Sequence, residues 1–147
     1  MSRSVSRSVT VPASPEEVFA LLADPRRHAE IDGSGTVKGR LRGPQRLSSG
    51  ARFGMRMRLV VPYVITNTVV EFEEGRRIAW RHFGRHVWRY QLEPAPGGGT
   101  VVTESFDWSR ALSPKALELA GVPAMNTRSI ERTLARLQER FAGSAAA

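Results

Sequence analysis

The chain of 147 residues is 41% apolar, carries a formal net charge of +8 and has no cysteine, so it fits one domain burying roughly 68–70% of its unfolded surface. Without Cys there is no disulfide framework, thiolate nucleophile or Cys-based zinc or iron–sulfur site, and a reducing cytoplasm is the expected location. No segment approaches the ~20 consecutive apolar residues of a bilayer span and the first residues lack the apolar core of a secretory signal, so neither integral membrane association nor export is expected.

Ser4 to Val11 alternates Val5, Val9 and Val11 against Ser4, Ser6, Ser8 and Thr10, the pattern of a half-buried strand. Ser14-Pro15-Glu16-Glu17 then predicts a helix: a capping Ser, Pro at the first helical position and Glu three residues after the cap, with Val18, Phe19 and Leu22 as its buried stripe. Asp24-Pro25 stops this helix and starts a second short one through about Ile31. Gly33, Gly35, Gly39 and Gly43 then punctuate a turn-rich stretch with one short strand.

From Ala51 to Trp108 the period-two pattern predicts an antiparallel meander broken at Glu74-Gly75, near Gly84 and at Pro94 through Gly99. In it Phe53, Met55, Met57 and Leu59 face one way and Arg52, Arg56 and Arg58 the other, so one side is apolar and the other wet. After Ser113-Pro114 the pattern turns helical, is interrupted at Gly121-Val122-Pro123, and continues to about Phe141 with Ile130, Leu134, Leu137 and Phe141 on one face. Gly143 and the terminal alanines read as a frayed end. The basic residues include only two lysines, Lys38 and Lys115; the arginines spread along the chain without a cluster or a recognition motif, so no nucleic-acid partner is expected, although anionic ligands would be attracted.

An antiparallel sheet with one apolar face and one amphipathic helix to cover it must curl around that helix, and such curled sheets leave gaps where apolar ligands bind. This order resembles the α+β helix-grip fold of the START-like superfamily, which includes birch-pollen-type allergens: a curved sheet of about six or seven strands wrapped around a long C-terminal helix, with two short helices after the first strand. The resemblance covers about residues 3–141. Val11-Pro12-Ala13-Ser14-Pro15-Glu16-Glu17-Val18-Phe19, the Asp32-Gly33-Ser34-Gly35 stretch and Gly98-Gly99-Thr100-Val101-Val102-Thr103-Glu104 look like the small bacterial polyketide cyclase group of SRPBCC proteins. The resemblance implies a single domain over residues 1–147 with a hydrophobic cavity between sheet and long helix, holding a lipid, polyketide, steroid-like or aromatic molecule.

Four residues suit proton chemistry: His82, His86, Glu104 and Asp32. If the turn near Gly84 is a three-residue loop, His82 sits opposite His86 on a face shared with Trp80, Trp88 and Tyr90; a two-residue Gly84-Arg85 turn sets His82 opposite Val87 and leaves both imidazoles in solvent. If Tyr90 faces Glu104, then Trp88 faces Phe106, His86 faces Trp108, and burial raises the Glu104 pKa. One residue of slip instead pairs Arg89 with Glu104 at the surface. Asp32 reads first as an Asx-type turn. Phe53, Met55, Met57, Tyr63, Trp80, Trp88, Tyr90, Phe106 and Trp108 are candidate pocket walls, soft and aromatic side chains suited to an irregular apolar guest, and Asn67 a group to orient it. His28, His82 and His86 have no metal-ligand spacing, and neither metal nor cofactor is expected.

Three readings follow. The first is a carrier or sensor for a small hydrophobic molecule, acting as monomer or homodimer. The second is a polyketide cyclase, dehydratase or isomerase using His82, His86 and Glu104 with Tyr90 as a donor. The third is an interaction module whose Arg-rich surface docks an acidic partner over a solid interior.

Overall fold

The computed structural model describes residues 2–34, 37–58, 61–82 and 84–145. Strand β1 (Ser4–Val11) is followed by helix α1 (Pro15–Leu22), a 3-10 turn (Pro25–Arg27) and the single-turn helix α2 (His28–Ile31). The Ser14 hydroxyl accepts the Glu17 N–H at 3.2 Å and Pro15 opens α1, as the capping pattern predicts. Asp24 in turn accepts the Arg26 N–H at 3.0 Å and starts the 3-10 turn; the Arg26 guanidinium also holds its carboxyl below the ordinary range.

Strands β2 (Val37–Arg42), β3 (Arg52–Arg58), β4 (Pro62–Glu73), β5 (Arg77–Arg81), β6 (Val87–Pro94) and β7 (Thr100–Asp107) form a meander, and β1 closes on β7. The result is one seven-stranded antiparallel sheet of order β1-β7-β6-β5-β4-β3-β2. Register shifts interrupt the β2–β3 and β4–β5 ladders. Such bulges bend a strand and increase its twist, which helps this sheet to curl. Phe53 and Met55 are buried while Arg52, Arg56 and Arg58 are exposed, as the alternation predicts; Leu59 lies outside the described residues.

Helix α3 (Pro114–Leu119) leads through Gly121, whose φ of 73° lets the chain turn, into α4 (Val122–Ala145). The α4 backbone is helical to Ala145, and the last two of the terminal alanines expected to fray lie outside the described residues. Ile130, Leu134, Leu137 and Phe141 are all buried, and α4 packs chiefly on β1 and then on β7. Meanwhile α1 leans on β6, and α2 with the 3-10 turn closes against β2. The concave face is therefore covered by α4 at its β1–β7 edge, while β3 to β5 are left uncovered by that helix and are touched instead by α1, through Phe19 on Phe72, and by α2, through His28 on Trp80. Among the described residues no helix is long and apolar enough to cross a membrane.

Candidate functional site

Between the uncovered strands and the N-terminal half of α4 lies a cavity of about 680 Å³. The β5–β6 hairpin sets its main wall. Arg81 pairs with Val87, so His82 lies across from His86, the first of the two expected registers. The two imidazoles meet edge to face at 4.3 Å, and Arg85 takes a φ of 64° with its N–H on the His82 carbonyl at 3.0 Å. Both histidines flank the hairpin instead of lying within strands, which stop at Arg81 and resume at Val87. Behind them Trp80 pairs with Trp88, Trp88 with Phe106 and Tyr90 with Glu104. Arg89 points to the other face, where it donates to Glu71 at 2.8 Å.

Glu104 is buried, lines the cavity, and its Oε1 has no hydrogen-bond partner among the described residues. Burial pushes its pKa up to about 8; the Tyr90 hydroxyl opposes that rise, while the Asp32 carboxylate adds to it. The Tyr90 phenol is itself held well above its ordinary value by burial and by Glu104. His86 goes the other way, down to about 4, through burial and the neighbouring His82, and His82 is lowered by burial. At neutral pH the cavity thus holds a protonated carboxyl and neutral imidazoles, a donor and acceptors without charge.

Of the expected wall residues, Phe53, Met55, Met57, Tyr63, Asn67, Trp80, Trp88 and Tyr90 line the cavity, as do His82, His86 and Glu104. Phe106 and Trp108 do not. Phe106 is fully buried and stacks on Trp108 at 5.5 Å, and the Trp108 indole N–H reaches Glu118 at 3.2 Å. They sit behind the wall because β7 lies beside β1, on the side that α3 and α4 cover. Asp32 forms the expected turn, accepting from Ser34 N at 3.1 Å and Val37 N at 2.9 Å, and it also lines the cavity.

Other lining residues are not marked by the sequence pattern, His28 and a face of α4 among them. His28 stacks on Trp80 at 4.9 Å with its Nε2 on the Leu22 carbonyl at 2.8 Å. A carbonyl only accepts, so Nε2 carries the proton, and burial keeps the ring neutral. From α4 come Val122, Met125, Asn126, Ser129 and Thr133, whose spacing of three and four marks a second helix face. That face is fastened at Gly33: its N–H donates to Thr133 Oγ1 at 2.8 Å and its carbonyl accepts from Arg132 Nε at 2.7 Å. Among the described residues no group of three or more His, Asp or Glu side chains is arranged to hold a metal ion.

A family model described as polyketide cyclase / dehydrase and lipid transport matches residues 2–142. An uncharacterized protein of Mycobacterium tuberculosis is 41% identical over 143 residues, covering 94% of this chain but 64% of that protein, so this chain spans just under two thirds of its relative's length. Among solved structures, a Rhodobacter sphaeroides protein matches with a TM-score of 0.72 at 18% identity over 96% of this chain and 93% of its own. A Nitrosomonas europaea protein also reaches 0.72, at 15% identity over 98% and 97%. These likenesses establish the helix-grip fold.

Proposed function

The chain belongs to the polyketide cyclase/dehydrase and lipid transport family, and we propose that it is a carrier or sensor holding one small hydrophobic molecule between the sheet and α4. The observation that carries this reading is a cavity of about 680 Å³, walled by aromatic and methionine side chains, into which opens a buried Glu104 oxygen without a hydrogen-bond partner among the described residues. The volume lies within the range of small-molecule sites, roughly 300–1,000 Å³. A neutral carboxyl donates its proton, so the guest it suits is apolar over most of its surface and carries an acceptor such as a carbonyl, ether or hydroxyl oxygen. Trp80 and Trp88 favour a flat or aromatic portion. The same size weighs against an interaction module with a solid interior.

Native mass spectrometry of the purified protein, and titration with the neutral fluorophore N-phenyl-1-naphthylamine followed by tryptophan quenching, test the reading. A retained apolar mass or saturable one-to-one binding is expected; the absence of both defeats it.

The inverted proton affinities of Glu104 and His86 favour a second reading, a cyclase, dehydratase or isomerase. An acid protonated up to about pH 8 and an imidazole neutral down to about pH 4 are both in working form at neutral pH. Here Glu104 donates to a departing or enolising oxygen, His82 or His86 removes a proton from carbon, and Tyr90 positions the acid. Turnover of an enolisable aromatic polyketide mimic, falling about a hundredfold in Glu104→Gln with binding kept, is the expected signature. Unchanged turnover in that variant rules out Glu104 as the acid.

A further inference from the structure

Tyr63 and Val64 at the start of β4 and Met125 in the first turn of α4 both line the cavity and are exposed, so they border its mouth. Around this mouth stand further bare apolar side chains: Val61, 65% exposed in the β3–β4 connection, and Leu119, 91% exposed just before the Gly121 turn into α4. Leu112, also exposed, is tied to the β5–β6 hairpin by its N–H on the Gly84 carbonyl at 3.1 Å. Isolated surface apolar residues are ordinary, but several on neighbouring loops at one end of a molecule mark an interaction surface.

The charges divide along the same axis. Arg56, Arg58, Arg85, Arg110 and Arg128 are exposed at the mouth end, and none is within ion-pair distance of a carboxylate among the described residues. Carboxylates nearby are engaged, Asp107 by Ser109, Glu118 by Arg3 and Trp108, and Glu131 by Arg7. At the opposite end, around the β4–β5 turn, the arginines are neutralised in pairs such as Arg46–Glu74 and Arg76–Glu73. Unpaired cations behind protruding apolar tips are complementary to an anionic interface with an oily interior.

We propose that the mouth end of the protein docks reversibly on an anionic lipid surface, Val61, Leu112, Leu119 and Met125 entering the headgroup layer while the arginines meet lipid phosphates. The cavity then opens toward the lipid. An acidic protein would satisfy the cations but leave the aliphatic tips without a use, which favours the membrane. The residues substituted below do not line the cavity, so vesicle binding and the cavity titration succeed or fail independently.

The test is co-sedimentation of the full chain with vesicles of phosphatidylcholine alone or with about one third phosphatidylglycerol. Binding to the anionic vesicles and little to the neutral ones is expected. The triple variant R58Q/R85Q/R128Q lowers the partition coefficient about a hundredfold, near fivefold per charge, and V61S/L119S lowers it about tenfold. The far-end triple R46Q/R76Q/R77Q changes it far less, and unchanged melting curves show that all three variants fold. Equal binding to both vesicle types, equal loss from the two arginine triples, or binding to polyglutamate with V61S/L119S indifferent on vesicles would each overturn the proposal; the last assigns the surface to an acidic protein.

Discussion

The concave face of the sheet has two halves built by the same alternation of side chains and finished differently. Toward β1 and β7, Val11, Val102, Leu134, Leu137 and Phe141 meet in a filled core. Toward β3 to β5, Phe53, Met55, Met57 and Trp80 face an open space. What separates the halves is the element above them: α4 sets Ile130, Leu134 and Leu137 on the first and Met125, Asn126 and Ser129 over the second. One helix thus supplies a greasy stripe that closes and a small, polar stripe that stands off.

Truncating the filled half should cost most. Leu137→Ala leaves a hole in a fully buried position and is expected to lose about 2–5 kcal/mol, read by urea denaturation. If it costs under about 1 kcal/mol, the two halves are not energetically distinct.

Glu104→Gln comes next and changes sign with pH. The carboxyl titrates near 4.5 in an unfolded chain and about 8 in the folded protein, so the folded state holds the proton more tightly. Its contribution is complete below about pH 4.5 and is lost as pH rises through about 8. Melting temperatures of the native chain should therefore fall across that window more steeply than those of the variant. The two proteins should match near pH 5, and Gln should be ahead by on the order of a few kcal/mol at pH 9. Parallel curves would place Glu104 in contact with water.

Gly33→Ala probes the fastening between the halves. A Cβ there would lie 2.3 Å from the Ser129 carbonyl oxygen and 2.6 Å from the Thr133 nitrogen, both backbone atoms. The helix has to shift, at about 1–3 kcal/mol, and cavity-probe affinity should fall with stability. Met57→Ala is the smallest change: half-buried at the cavity edge, it should cost less than about 1 kcal/mol while altering probe affinity.

Much of the fold was legible because its signals are local. The Ser14-Pro15 start, the valine alternation of β1 and the four-three-four apolar steps of α4 depend on neighbours within a few residues. The site was legible only as alternatives, since the register of His82 against His86 turns on one residue of loop length. Arg85 adopting a left-handed conformation decides it, and an arginine gives no advance notice of that. Phe106 and Trp108 share alternation and chemistry with Trp80 and Trp88, yet strand order places them under helices, information that no single strand contains. His28 was missed because it follows a Pro-Arg-Arg turn with no periodicity of its own. The Asn126, Ser129 and Thr133 face was visible as spacing, but small polar residues read as the solvent side of an amphipathic helix.

A hollow that the chain itself leaves unfilled forgoes dispersion contacts along its lining. Any guest restores them to the native state alone, so folding free energy carries an occupancy contribution: at a hundred times its Kd a guest adds about 2.7 kcal/mol. Two preparations of identical sequence, one stripped with organic solvent and one still loaded from its host cell, would then unfold at different temperatures, and a melting curve becomes a gauge of cargo.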